Sequence, residues 1–213
     1  MIDENKMRAI HTYCEGVTDD LSPALYDLYR ETHLKTMAPR MASGPLQGRL
    51  LSMISSLLSP TNILEIGTFT GYATICMAEG LADDGQIDTI EINPELNHIS
   101  DKYFKRVGIR SRVNSHIGNA KNIIPNLDKR FDLVFIDAKK KDYALYFDLV
   151  IDHVNKGGII LADNVIRDGK VITDDQDATT HSLRQFNQKV KDDDRVRSLL
   201  LPLRDGLMIL RKV

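Results

Sequence analysis

Phe131-Asp-Leu-Val-Phe-Ile-Asp137 and Gly157-Gly-Ile-Ile-Leu-Ala-Asp163-Asn164 are apolar runs that each end abruptly in oxygen-bearing side chains. Runs of this length fill strands buried on both faces, as in a parallel sheet. In open α/β sheets the ligand crevice lies outside the carboxyl ends of the strands. Asp137, Asp163 and Asn164 are therefore expected to converge at one site. Three oxygen donors with no nearby Cys or His suit a hard divalent cation, Mg²⁺ first, with Mn²⁺ or Ca²⁺ as alternatives.

Outward from these runs the chain alternates. Strands are expected near 62–67, 86–92, 112–117, 131–137 and 157–163, with helices over 71–81, 94–107, 119–126, 141–154 and 178–191. That alternation predicts a Rossmann-like α/β fold, a mostly parallel seven-stranded sheet with helices on both faces. The last two strands, near 195–201 and 206–212, flank Pro202-Leu-Arg-Asp-Gly206. So short a connection permits only an antiparallel hairpin, which makes the sheet mixed. Residues 1–59 read as a helical extension, with Leu21, Leu25, Leu28 and Tyr29 at helical spacing and breaks at Pro39 and Gly44-Pro45. Pro45 suits the first turn of a helix through Leu46, Leu50, Leu51, Ile54 and Leu58. The expected organisation is one domain over 1–213, with its core in 60–213. The polar, acidic stretch 166–180 follows the oxygen cluster directly and reads as a mobile lid.

The 213 residues are 42% hydrophobic and 27% charged, enough for a full-sized core. A net charge of -2 gives no electrostatic case for nucleic acid or an anionic membrane. Cys14 and Cys76 match no metal spacing and read as free thiols in a reducing cytoplasm. Met1-Ile-Asp-Glu-Asn-Lys6 lacks a signal-peptide pattern, and no apolar run is long enough for a membrane span. A cytoplasmic protein is expected.

The first strand runs Ile63-Leu-Glu-Ile-Gly67-Thr-Phe-Thr-Gly71-Tyr72 into a helix. Its G-x-x-x-G spacing differs from the G-x-G-x-x-G that admits a pyrophosphate, because Phe69 stands where the second Gly belongs. Glu65, inside this strand, suits a cationic group, or alternatively a core pairing with a local Lys, Arg or backbone amide. Glu91 ends the second strand 24 positions beyond Gly67, where a carboxylate typically binds a ribose diol. A nucleoside with a positive charge and no phosphate is thereby implied, which means S-adenosylmethionine. Gly118-Asn119-Ala120 opens a further helix, where Asn119 either meets the adenine or simply caps the helix.

Taken in order, Glu65 to Tyr72, Glu91, Gly118-Asn119-Ala120, Asp137-Ala-Lys-Lys140-Lys-Asp-Tyr143 and Asp163-Asn164-Val165 resemble the cation-dependent O-methyltransferases of caffeoyl-CoA and catechol type. The resemblance runs from Met41 to the terminal Asp205-Gly206-Leu207. It implies metal ligands at Asp137, Asp163 and Asn164, with Asp137 also a catalytic and cofactor-contacting residue, and a ribose-binding carboxylate at Glu91. It places Glu65, Gly67 and Thr68 around the methionine end of the cofactor, with a main-chain contact at Ser43 and an adenine contact at Ala120. Ala73 stands where relatives often carry Ser, and Lys140 aligns with a catalytic lysine. The resemblance also implies a homodimer whose N-terminal helices help form the acceptor site.

Methyl transfer from a sulfonium to oxygen needs a deprotonated nucleophile, and a free phenol has a pKa of about 10. A divalent ion favours the anionic oxygen, and Lys140, three residues after Asp137, is the expected proton acceptor. Lys139 and Lys141 read as solvated surface. Asp168, Asp174, Asp175 and Asp177 form an acidic loop that reads as solvated rather than as a second cation site. Leu199 to Arg204 lacks the carboxylate that animal catechol-type enzymes carry before the terminal Asp-Gly, and the chain has no Trp. The expected acceptor is therefore a phenolic or catechol-like small molecule without catecholamine selectivity. A nicotinamide oxidoreductase fails on the glycine spacing, and a base-methylating enzyme lacks its Asn/Asp-Pro-Pro motif after the fourth strand. A catalytically silent cofactor-binding module is the remaining alternative.

Overall fold

The computed structural model describes residues 4–19 and 22–213. Leu21, read above as a helix position, lies outside the described residues. Three N-terminal helices come first: α1 (Glu4–Gly16), α2 (Pro23–Lys35) and α3 (Pro45–Leu58). Ser22 caps α2 through its side chain, and Pro23 and Pro45 occupy the first turns of their helices, where the missing N–H costs nothing.

The alternating region follows as β1 (Asn62–Ile66), α4 (Tyr72–Ala78), β2 (Gln86–Glu91), α5 (Asn97–Arg106), β3 (Val113–Ile117), α6 (Ala120–Ile123), β4 (Phe131–Ile136), α7 (Tyr143–Val150) and β5 (Val154–Ala162). The chain closes with α8 (Ala178–Asp192), β6 (Val196–Leu201) and β7 (Leu207–Lys212). Strand order is β3-β2-β1-β4-β5-β7-β6. The strands pair in parallel from β3 to β5, and β7 runs antiparallel to both β5 and β6. The mixed, Rossmann-like sheet expected from the sequence is thus present, with β7 inserted inside the edge strand β6.

Strand alternation divides the core between two faces. Ile63, Leu133, Phe135 and Leu161 pack with α2, α3, α4 and α5, while Leu64, Val134, Ile136 and Ile160 pack with α7 and α8. Each fully buried Leu, Ile or Phe of this kind contributes roughly 1.5–3 kcal/mol.

Boundaries shift where local chemistry intervenes. The helix expected over 141–154 stops at Val150 and passes through a 3₁₀ turn, Ile151–His153. Strand β5 begins at Val154 instead of Gly157: Val154 pairs with Phe131, and the register slips before Leu133. Gly157, at φ +84°, absorbs that irregularity. Pro125 shortens the helix expected over 119–126 to one turn of α6 followed by the 3₁₀ turn Ile124–Asn126. No helix among the described residues is long and apolar enough to cross a membrane.

The stretch read as a mobile lid is tied down. The Arg184 guanidinium, on α8, donates to the carbonyls of Lys170, Val171, Thr173 and Asp175. Asp177 caps α8 by accepting from the amides of Thr179 and Thr180, and it pairs with Arg167 at 3.0 Å. The Thr180 hydroxyl also donates to Asp177 at 2.5 Å, and it, with the two amides, holds that carboxyl well below the usual carboxylate range. Asp175 pairs with Lys170 at 3.2 Å. Two of the four loop carboxylates therefore have internal cationic partners.

Candidate active site

The turn after β1 positions the site. Gly67 takes φ +107°, and a Cβ there would collide with the carbonyl oxygen of Asp137 at the tip of β4. Only glycine lets the two strand ends approach so closely. Gly71, at φ +89°, starts α4 against Phe104, again with no room for a Cβ. Between them Phe69 is held at φ +50° because its amide donates to Glu91 Oε2 at 2.7 Å. Glu91 Oε1 accepts from the Asn93 amide at 2.8 Å. The carboxylate at the tip of β2 thus fixes the turn and still has lone pairs for further donors. The N-terminal layer braces the same turn, through the Thr32 hydroxyl of α2, which hydrogen-bonds the Thr70 hydroxyl at 3.0 Å.

Above this turn lies a cavity of about 350 Å³, lined by Gly67, Glu91, Asn119, Ala120 and Asp137 among others. A smaller recess beside it is lined by Ser43, Gly67, Thr68, Ala73 and Asp137. Seven of the eight residues expected at the cofactor thus border one continuous region. Asn119 caps the helix, its side chain accepting from the Lys121 amide at 3.0 Å, and it also borders the cavity.

Glu65 is the exception. It lies fully buried beneath the turn and lines neither cavity. The hydroxyls of Thr74 and Thr89 both donate to its Oε2 at 2.5 Å, and Thr68 in turn hydrogen-bonds Thr89 at 2.5 Å. Its partners are therefore threonines, not the Lys, Arg or backbone amide considered from sequence. Oε1 has no partner. Burial pushes this carboxyl up to about 8, against the two threonine hydrogen bonds, with the charges of Asp137 and Glu91 adding to the rise. With that value it is chiefly a neutral acid at pH 7. An acid raised in the folded state makes the protein lose stability as pH climbs from the unfolded value, 4.5, toward about 8. Glu65→Gln, which mimics the neutral acid, should not share that loss. Urea unfolding at pH 5 and pH 8.5 should therefore show wild type falling relative to Glu65→Gln by a few kcal/mol. Parallel pH profiles would contradict the assignment.

At the ends of β4 and β5 the predicted oxygen cluster assembles around Lys140. Its Nζ donates at 2.8 Å to Asp137 Oδ1, to Asn164 Oδ1 and to the Tyr143 hydroxyl, using all three N–H groups. Tyr143 then donates to the Asp163 carbonyl at 2.9 Å. Asn164 adopts φ +58°, a left-handed conformation that Asn tolerates better than most residues. Its amide donates to Asp163 Oδ1 at 2.8 Å, and the Gln47 side chain donates to Asp163 Oδ2 at 2.8 Å. Asp163 is 1% exposed, and its carboxyl rises to about 6 through burial first and the Asp137 charge second, opposed by Gln47, Lys140 and Arg204.

This donor set fits a hard cation. Two carboxylates that repel each other meet an amide oxygen, and two of the three groups already share a positive partner in Lys140. Among the described residues no cluster reaches three His, Cys, Asp or Glu side chains, because the third donor here is the Asn164 amide. Sequence reading missed Gln47, Arg204 and the hydroxyl of Tyr143. A polar Gln47 one turn before Leu51, on the buried face of α3, was the available signal, because a buried amide demands partners.

A doubly wound sheet with a nucleoside-sized cavity over a G-x-x-x-G turn, and oxygen donors at its rim, defines the Rossmann-like class of group-transfer enzymes. Within it, the chain belongs to the O-methyltransferase family, whose model matches residues 15–213. It resembles a catechol O-methyltransferase of Niastella koreensis, 38% identical over 70% of each chain. Tricin synthase 2 of Oryza sativa subsp. japonica is 29% identical, over 98% of this chain and 76% of that protein. Among solved structures, SAH-bound methyltransferase PaMTH1 of Podospora anserina superposes with TM-score 0.92 at 30% identity, covering 100% of this chain and 97% of that one. TomG of Streptomyces achromogenes in complex with SAM gives 0.90 at 28% identity, covering 100% of both chains. The protein is an S-adenosylmethionine-dependent O-methyltransferase.

Proposed function

We propose that the protein methylates one hydroxyl of a catechol-like or phenolic small molecule in a reaction that depends on a divalent metal. The observation that carries this reading is the position of Asp137. Asp137 borders both cavities, and its carboxylate is also one of the oxygens gathered around Lys140. A methyl donor seated over Gly67 and an acceptor held at the cluster would therefore be neighbours.

In this reading Asp137, Asp163 and Asn164 hold the cation, Mg²⁺ or a similar divalent ion such as Mn²⁺ or Ca²⁺. When bound, such an ion favours the anionic form of a coordinated hydroxyl. In its neutral amine form, which carries a lone pair in place of one of its three N–H groups, Lys140 takes the proton of the acceptor hydroxyl. It is held in place by Tyr143, whose own proton is committed to a backbone carbonyl. Glu91 receives the ribose hydroxyls, Ala120 borders the adenine, and Ser43, Gly67, Thr68 and Ala73 surround the methionine end. Glu65 acts from below, supporting the turn through Thr68 and Thr89. Two adjacent hydroxyls of an acceptor would both reach a cation held by Asp137, Asp163 and Asn164, which would orient one of them toward the methyl group.

Methyl transfer from labelled S-adenosylmethionine to vicinal diphenols and to their single-hydroxyl analogues tests this. The diphenols should react at least about tenfold faster, the value of one well-placed chelating contact. Equal rates would contradict chelation, and no transfer to any phenol would contradict the acceptor class.

The chain is read as one methyltransferase domain that acts as a homodimer in the cytoplasm. Exposed apolar side chains concentrate on the N-terminal helices, where Tyr13, Tyr26, Leu34 and Leu57 are 69%, 69%, 74% and 87% exposed. Patches of this kind support an interaction surface. Light scattering should give about twice the 24.0 kDa chain mass, and a chain-sized particle would contradict the dimer.

A further inference from the structure

The turn between β6 and β7 reaches across the molecule to the oxygen cluster. Arg204, at φ +49° in that turn, donates through its guanidinium to the Ser43 carbonyl, to Gln47 Oε1 at 2.8 Å, to the Ala42 carbonyl at 3.2 Å and to the Arg40 carbonyl at 3.4 Å. Arginine has donors only, so the oxygen of the Gln47 amide must face it. That leaves the Gln47 nitrogen aimed at Asp163 Oδ2, 2.8 Å away. Gln47 and Asp163 are each 1% exposed, so water does not compete for either group. The same turn holds the segment after Asn164: the amides of Val165 and Ile166 donate to the carbonyls of Gly206 and Asp205 at 3.1 and 2.9 Å.

We propose that Gln47, oriented by Arg204, is a positioning residue for the Asp163 carboxylate, and that Arg204 separately holds the segment carrying Ser43 at the cofactor recess. This rests on the reading of Asp163 as a metal ligand. The physical reason is directional. Asp163 Oδ1 is fixed by the Asn164 amide, and Oδ2 by Gln47, so the plane of the carboxylate is set before any ligand arrives. Partners that orient a metal ligand in this way typically govern metal affinity by about 10–100-fold. Arg204 serves two ends, whereas Gln47 serves only one, and the two residues should therefore separate in experiment.

Two titrations on the full chain make the separation: Mn²⁺ binding followed by electron paramagnetic resonance, and S-adenosylhomocysteine binding by calorimetry without metal. Gln47→Leu and the nearly isosteric Gln47→Met should each weaken Mn²⁺ binding by about 10–100-fold. S-adenosylhomocysteine affinity should stay within about threefold, because Arg204 keeps its three carbonyl partners. Arg204→Met should weaken both. Arg204→Lys should not restore either, since one ammonium cannot reproduce the planar fork. Wild-type Mn²⁺ affinity in both Gln47 variants would overturn the proposal, as would equal losses of both ligands, which mark general loosening. Failure of the wild-type chain to bind Mn²⁺ would overturn the metal reading and this inference with it.

Discussion

Replacing Lys140 with Met is expected to lower kcat by about 10²–10⁴-fold, the usual contribution of a positioned general base. KM for S-adenosylmethionine should change little. Lys140 satisfies the geometric requirement for the role. Its Nζ stands 2.8 Å from the two oxygens that would flank the acceptor, Asp137 Oδ1 and Asn164 Oδ1, and its third N–H is held by Tyr143. Lys140→Arg should not rescue activity, because a guanidinium keeps its proton. A diphenol carrying an electron-withdrawing group is already ionised near neutral pH and should lose far less than catechol itself. Equal losses for the two acceptors would assign Lys140 to charge complementarity alone.

The second large effect is expected at Asp163. Asp163→Asn should remove detectable methyl transfer and weaken Mn²⁺ binding by more than about 100-fold, since an anionic ligand is replaced by a neutral one. The same change should stabilise the metal-free chain at neutral pH. Asp163 is raised from 3.8 to about 6, so the folded state holds its proton more tightly than the unfolded state. Its contribution to stability is full below pH 3.8 and is lost as pH rises through about 6. At pH 7.5 the ionised carboxylate costs on the order of 1–3 kcal/mol, which Asn avoids. A ligand that destabilises the empty protein is the expected signature of a site built for a cation. Denaturant midpoints measured after chelation, at pH 3.5 and pH 7.5, should show Asp163→Asn gaining on wild type only at the higher pH. A gain at neither pH would contradict the account.

How much of this was legible beforehand depended on sequence distance. Strands β4 and β5 announced themselves because a strand buried on both faces must be apolar throughout, and the abrupt change to Asp137 and Asp163-Asn164 marks where it leaves the core. The Gly67 turn was equally local, since the steric demand acts within a few residues of the strand. The bulge that starts β5 at Val154 was not legible, because Gly157-Gly158 also reads as a turn. Glu65 was legible as a buried carboxylate, but the choice of threonines over a cation depended on Thr74 and Thr89, on different elements. The contacts least accessible to sequence join Gln47 to Asp163, 116 positions apart, and Arg204 to Gln47, 157 apart. No local period encodes such pairings. Arg184 is a similar case, because a basic residue on a helix reads as solvated until the loop carbonyls it collects are seen.

In the proposed reaction, methyl transfer depends on a cation held by Asp137, Asp163 and Asn164. The most direct test of that claim is transfer of label from S-adenosylmethionine to a catechol acceptor, first with Mg²⁺, then in excess EDTA, then with Mg²⁺ restored. Activity should vanish with EDTA and return with the metal. Transfer that survives EDTA undiminished would contradict the claim while leaving the methyl donor and its cavity in place.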